Sequence, residues 1–426
     1  MNKQLFERVH ETLYTSVLSN GLTVKVLPKP GFVKKSVSMV VKFGSIHRHF
    51  VHSITKVEQI LPAGIHHFLE HMLFESGEHD ITRRFMESNA LVNAYTSSNR
   101  TVYYFTTTDD LEKPLNHLLD MVLTPSFQAE LIQKEQQIIE QEFNMYEDDI
   151  EQALYHDALQ ALYQIHPVKD EILGSIQTIR QMNQEILEFA YQVGYHPTNI
   201  ELLLVGDFNP NELEAMLEAM PAIQKTVSAS LYEHVAIEEP EKVCIPSVDI
   251  KKDIHISYAS IALKLPSSLL QTPIQAALNE IKCNFLLEML LGKQSSQYHQ
   301  WIDQEIANDT LDYLVSIEET YGYIRITSES KKPEQLIQEM KHVLTTNLSI
   351  SLDERTFLAN RNRLLGSYYR MFNRIDSMAN VLTDYAVKGI DVDDFVSQAM
   401  KLSVHDLEDV REWMANTQIV SLIHHS

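Results

Sequence analysis

Cysteine is scarce in this chain. The two that occur, Cys244 and Cys283, exclude a disulfide framework and a Cys-rich zinc site, and they fit a reducing, cytoplasmic setting. Long apolar runs are missing too: no stretch approaches the roughly 18 residues that a membrane span needs. The opening MNKQLFERVHETLY lacks an apolar core, so no secretory signal is expected. Basic charge is outnumbered, 35 Lys and Arg against 58 Asp and Glu, for a net −23. Such a surface repels nucleic acid, and no basic cluster compensates. Most of that charge simply keeps a protein in solution. Where it lines a cavity, it attracts basic peptides.

What is present is ample core material: 426 residues, 44% of them hydrophobic. That length suggests two to three domains. The chain also echoes itself. His67-Phe-Leu-Glu-His-Met-Leu-Phe74 has a counterpart in Phe285-Leu-Leu-Glu-Met-Leu-Leu-Gly292, and Asn199 to Gly206 has one at Thr417 to His424, at the same offset. A duplicated domain follows. Within the first half, alternating apolar residues predict strands over 22–27 and 37–43, and a helix over 64–74. Strands return at 90–95 and 101–107, helices dominate 111–193, and a last strand covers 201–205. Strands and helices do not alternate strictly, which favours an α+β fold: two similar domains in tandem, each a mixed sheet packed with helices. The expected division is a catalytic domain over 1–225, a linker over 226–252 and a non-catalytic homologous domain over 253–426.

The chemical signal is His67-x-x-Glu70-His71. Four residues along a helix is about 40° around its axis, so the two histidines can grip one metal ion from one face. Glu70, about 60° from His67, can reach water at the metal without being a ligand, the reverse of the His-Glu-x-x-His order. His66 lies about 140° from His71 and should point elsewhere. Phe68, Leu69, Met72 and Leu73 can lock the helix in a core. A catalytic zinc usually needs a third protein ligand. The segment from Glu135 to Tyr146 offers one, because Glu135 and Glu142 share a helix face with Ile138 and Ile139. Glu140 should face solvent, and Glu147 is the fallback. Surface histidines and a solvated glutamate face are the bland alternative. They fit less well, because buried carboxylates in an apolar stripe need a partner.

Gly64-Ile-His-His-Phe-Leu-Glu-His-Met-Leu-Phe74 resembles the signature of the pitrilysin-type, or inverzincin, metallopeptidases. Asn93-Ala-Tyr-Thr-Ser97 with Thr101-x-Tyr103, Ile172-Leu-Gly-Ser175 and Tyr195-His-Pro-Thr-Asn199 are similar to further landmarks of that family. Length and domain count resemble its bacterial two-domain branch, related to the mitochondrial processing peptidase. The resemblance implies a zinc endopeptidase acting on short or unfolded peptides, or leader segments, bound in extended form. It assigns one Zn2+ per chain to His67, His71 and Glu142, catalysis to Glu70 with Glu135, and substrate binding to Asn93, Ala94, Tyr95 and Thr96. Arg325 and Tyr321 would contact substrate from the second half, where Phe285 and Met289 replace the two histidines. Such chains pair as homodimers or with a related chain. The family often has Gly where Asn89 stands, and Asn tolerates positive φ. Residues 52–61 look like an insertion. Two other readings remain: a partner subunit of a heterodimeric peptidase with little activity alone, and a zinc hydrolase of non-peptide substrates.

Overall fold

The structure is a computed structural model that describes every residue except 76–80, 226–229 and 271. The chain forms two compact units, and neither is contiguous. One comprises Met1–Tyr146, Asp170–Ala236 and Tyr369–Gly389; the other comprises Glu147–Lys169, Ile237–Tyr368 and Ile390–Ser426. Each half of the sequence thus lends a helix to the other unit.

The strands of the first unit are β1 (Asn2–Phe6), β2 (Glu11–Val17), β3 (Thr23–Pro28), β4 (Lys35–Val41) and β5 (His49–His52). They continue with β6 (Glu58–Ile60), β7 (Ala90–Thr96), β8 (Thr101–Thr107), β9 (Ile200–Gly206) and β10 (Tyr232–His234). Seven of them form a mixed sheet in the order β1-β2-β3-β9-β4-β8-β7. Only β3 and β9 run parallel among these pairs. β9 is apolar over most of its length and wholly buried, as a central strand covered on both faces must be. Val37, Met39 and Val41 of β4 join the main core, while Ser36, Ser38 and Val40 are buried on its other face. Helix Ile375–Lys388 packs on β4 and β9. At the far edge, β7 alternates exposed and half-buried residues after Ala90 and leaves its outer backbone unpaired by this sheet. Asn89, at the turn into β7, takes φ 51°, the conformation expected of an asparagine standing for glycine.

The second unit holds β11 (Ser247–Lys251), β12 (Ser257–Lys264), β13 (Asp312–Ile317), β14 (Gly322–Ser330) and β15 (Ile419–His425). Their order is β11-β15-β12-β14-β13, with only β11 and β15 parallel. Strand for strand, this is the topology of β3-β9-β4-β8-β7. The duplication read from sequence is therefore a duplication of fold. Helix Ile150–Leu162 packs on β12 and β15, the counterparts of the strands that Ile375–Lys388 covers in the first unit.

The stretch expected as a linker carries strands. β10 pairs with β5, and β5 with β6, so residues 49–60 form a hairpin anchored by residues beyond 230. The start of that stretch, 226–229, lies outside the described residues. Further along, Glu239 accepts hydrogen bonds from the amides of Gln164, Ile165 and His166 at 2.7–2.9 Å and from Lys264 Nζ at 2.6 Å. Burial works against the Glu239 charge, but the Lys264 ammonium and the three amides outweigh it and hold its pKa below the usual value.

Two glycines fix the start of helix Ile65–Phe74. Gly64 sits at φ +89° and Gly174 at φ +83°, each against the other's segment. A Cβ on Gly174 would lie 2.5 Å from the Ala63 carbonyl oxygen, and one on Gly64 2.4 Å from that of Leu173. Only glycine permits both the conformation and the approach.

Two outcomes are expected. Gly174→Ala lowers stability by more than about 1 kcal/mol, read as an earlier midpoint in urea. Glu239→Gln costs roughly 1–3 kcal/mol near neutrality. Because folding lowers this carboxyl's pKa, its contribution is full above about 4.3. It is lost as pH falls through the lower folded value, so wild type and variant converge in acid. A pH series of denaturation curves checks this.

Candidate metal centre

Helix Ile65–Phe74 presents Ile65, Phe68, Leu69, Met72 and Leu73 to the core, each at most 1% exposed. His66 turns away from the other histidines, as its helical position requires. Its Nε2–H donates to the His47 carbonyl at 3.1 Å, and its ring lies 4.2 Å from that of Phe43. Burial, with His47 beside it, keeps its imidazole well below the usual histidine pKa.

His67 and His71 come together one turn apart, with ring centroids at 4.5 Å. Both meet Glu142, carried by helix Ala129–Glu147. Glu142 Oε2 lies 3.7 Å from His67 Nε2 and 3.5 Å from His71 Nε2. One donor atom from each of the three falls within 4.8 Å of the others, the one such cluster of at least three His, Cys, Asp or Glu among the described residues. Donors 2.0–2.1 Å from a tetrahedral zinc sit about 3.3 Å apart, so this set fits zinc with little adjustment. Burial, aided by His71, lowers the His67 pKa to about 3, which leaves it neutral and able to ligate. At His71 burial opposes the charge, but the Glu135 hydrogen bond and Glu142 outweigh it and raise the pKa.

Glu135 lies seven residues before Glu142 on the same helix and is 2% exposed. It accepts a hydrogen bond from His71 Nδ1 at 3.0 Å. That bond places the proton on Nδ1 and leaves the Nε2 lone pair facing Glu142. Glu147 is exposed at the helix end and does not join the cluster. One detail of this helix differs from the sequence reading. Ile139 is buried but Ile138 is 40% exposed, since neighbours sit about 100° apart and only one can share the inner face with Glu135. Glu140 lies on the outer face as expected, where its two oxygens take Arg180 Nε and Nη2 at 2.8 and 3.0 Å.

Glu70 is 9% exposed. Burial raises its pKa, tempered by a hydrogen bond from Thr96 and by the charge of His71. Thr96 ends β7, which packs against the metal helix and carries Asn93, Ala94 and Tyr95 as well. The side chains of Val92, Ala94 and Thr96 are half-buried, and those of Leu91, Asn93 and Tyr95 exposed. The Thr96 contact with Glu70 was not visible in the sequence; its signal is the hairpin that pairs Thr96 with Thr101.

Tyr321 and Arg325 belong to the second unit, just before and within β14. Both are buried. Tyr321 lies against His166 and Tyr323 at 5.3 and 6.2 Å. The Arg325 guanidinium sits 5.7 Å from the Tyr155 ring, with Nε and Nη1 lacking a hydrogen-bond partner among the described residues. Phe285 is buried within helix Pro273–Leu291, where the first half has His67.

Comparison with known proteins agrees with this geometry. The family model of the insulinase peptidases, family M16, matches residues 35–175, and that of the M16 inactive domain matches 181–362. The chain is 31% identical over 406 residues to an uncharacterized zinc protease, YmfH, of Bacillus subtilis, covering 95% of this chain and 94% of that one. A putative M16-like peptidase from Alicyclobacillus acidocaldarius shares the fold at a TM-score of 0.88 and 24% identity, covering 97% of this chain and 98% of that one. A protease from Helicobacter pylori does so at 0.84 and 18%, covering 97% and 99%. The chain therefore belongs to the M16, or pitrilysin-type, family of peptidases, among relatives named as zinc proteases.

Proposed function

We propose that this chain is a zinc-dependent endopeptidase that hydrolyses short or unfolded peptides, or leader segments, held in extended form. The observation that carries the reading is the convergence of His67, His71 and Glu142 on one point, with Glu70 beside them. His67, His71 and Glu142 would hold the ion, and Glu135 holds His71 in the tautomer that can bind it. Zinc in such a site supplies Lewis acidity, lowering the pKa of water towards ~7 and polarising a carbonyl.

Glu70 takes a proton from the attacking water and passes it to the leaving amine. Its burial favours this, because a carboxylate with a raised pKa accepts a proton more readily. The free edge of β7 pairs with the peptide backbone through Asn93, Ala94, Tyr95 and Thr96, a mode that does not demand particular side chains. In the second unit, the unpartnered nitrogens of Arg325 support a substrate-holding role for it, together with Tyr321. Phe285 and Met289 offer no nitrogen or carboxylate donors, which supports one zinc per chain and a non-catalytic second domain over 253–426, after a catalytic 1–225 and a linker over 226–252. The net charge of −23 favours basic peptides. Two free cysteines support a cytoplasmic location, and no helix among the described residues is long and apolar enough to cross a membrane. We assign the working form as a homodimer or a heterodimer with a related chain. The intact donor set argues against a merely supporting subunit.

Glu70→Gln is expected to bind zinc as tightly as wild type and to lose roughly 10²–10⁴ in turnover on a mixed library of unstructured peptides. Cleavage by the zinc-loaded variant at the wild-type rate would sink the assignment. Glu135→Gln is expected to weaken zinc binding about 10- to 100-fold, measured by competition with a chromophoric chelator.

A further inference from the structure

Behind Glu70 runs a set of buried hydroxyl groups that peptide hydrolysis, as described, does not use. Thr96 Oγ1 donates to Glu70 Oε2 at 2.5 Å. Across the β7–β8 ladder, Thr96 is paired with Thr101, whose Oγ1 is 3.5 Å away. Thr101 is fully buried and donates to the Phe43 carbonyl at 3.0 Å. Deeper in, the hydroxyls of Tyr195 and Tyr103 lie 2.7 Å apart. Tyr103 and Tyr195 are at most 3% exposed.

The directions of these bonds follow by elimination. Each hydroxyl has one hydrogen to give and can accept as well. That of Thr101 goes to the Phe43 carbonyl, so Thr101 has none to give to Thr96. With Thr101 3.5 Å distant, Glu70 is the nearer and better acceptor for Thr96, and the charged one. Buried hydroxyls cost stability unless paired; here the pairing leaves one hydrogen aimed at the carboxylate.

We propose that Thr96 is a positioning residue for Glu70, with Thr101 behind it. This rests on the peptidase reading above and changes the part Thr96 plays in it, from substrate contact to holder of the base. A hydroxyl suits the task because it can serve either protonation state. It donates to the carboxylate and accepts from the acid, so Glu70 gains a proton from water and yields it to the amine while Thr96 gains and loses none. Because Thr96 also ends the strand along which the peptide lies, the base and the substrate are tied to the same length of backbone.

The test uses the zinc-loaded full chain with Thr96→Val and Thr96→Ser. Thr96→Val is expected to lower kcat on the order of tenfold to a hundredfold, with KM within about twofold. Thr96→Ser restores kcat. A raised KM at constant kcat in Thr96→Val overturns the proposal, as does a serine variant as impaired as the valine. A second readout needs no turnover. In metal-free protein, the Glu70 carboxylate band, found by subtracting the Glu70→Gln infrared spectrum, shifts in Thr96→Val and not in Thr96→Ser; an unshifted band overturns the proposal. If Thr96→Val fails to fold, Thr96→Ala takes its place under the same kcat and KM criteria. A wild-type chain without turnover defeats the peptidase reading alone and leaves the infrared comparison to decide this one.

Discussion

The hydrogen bond from His71 to Glu135 determines what the rest of the site can be. Glu135 is nearly out of water, and a carboxylate in that position must be paired or neutral. By accepting the hydrogen bond from Nδ1–H it turns the other nitrogen of His71 towards Glu142, and so sets both the tautomer and the ring orientation. The bond also joins two helices. Ile65–Phe74 and Ala129–Glu147 are brought into register by it, and the meeting of His67, His71 and Glu142 depends on that register.

Apolar packing supplies the stiffness such a site requires. The metal helix is short, and short helices owe their stability to what they pack against. Here one side is buried by Phe68, Leu69, Met72 and Leu73, and the start is wedged between Gly64 and Gly174. Charge concentrates on the remaining face. Glu142 raises the cost of ionising Glu70, and His71 offsets part of it. A dication would offset the rest, the usual reason buried carboxylates gather around metals.

Much of this was legible in sequence because it is local. Period-two and helical patterns placed β3, β4, β7, β8 and the metal helix within a residue or two, and seven-residue spacing placed Glu135 and Glu142 on one face. Even the backbone of Asn89 followed from its residue type. What escaped was non-local. Arg180 reaches Glu140 across forty residues, and no periodicity encodes that. The pairing of β10 with β5 converts part of an apparent linker into sheet, and three-residue strands are too short to register as a pattern. The amides clamped by Glu239 lie more than seventy residues from it.

The helix Ile375–Lys388 covers β4 and β9, yet it is encoded near the end of the chain. Lys34 reaches Asp376 at 2.7 Å, and Arg100 pairs with Asp384, so the helix is tied to the first unit by charge as well as by packing. A ribosome delivers the sheet long before it delivers this cover. Until then, part of the central strands stays bare and exposed to aggregation or chaperone capture. The metal helix and its glutamates emerge early, but the unit around them closes only when residue 388 is out of the exit tunnel. Completion of the first unit is in this way timed to the emergence of a helix encoded far downstream, and a chain terminated before it would carry every donor atom on an uncovered sheet.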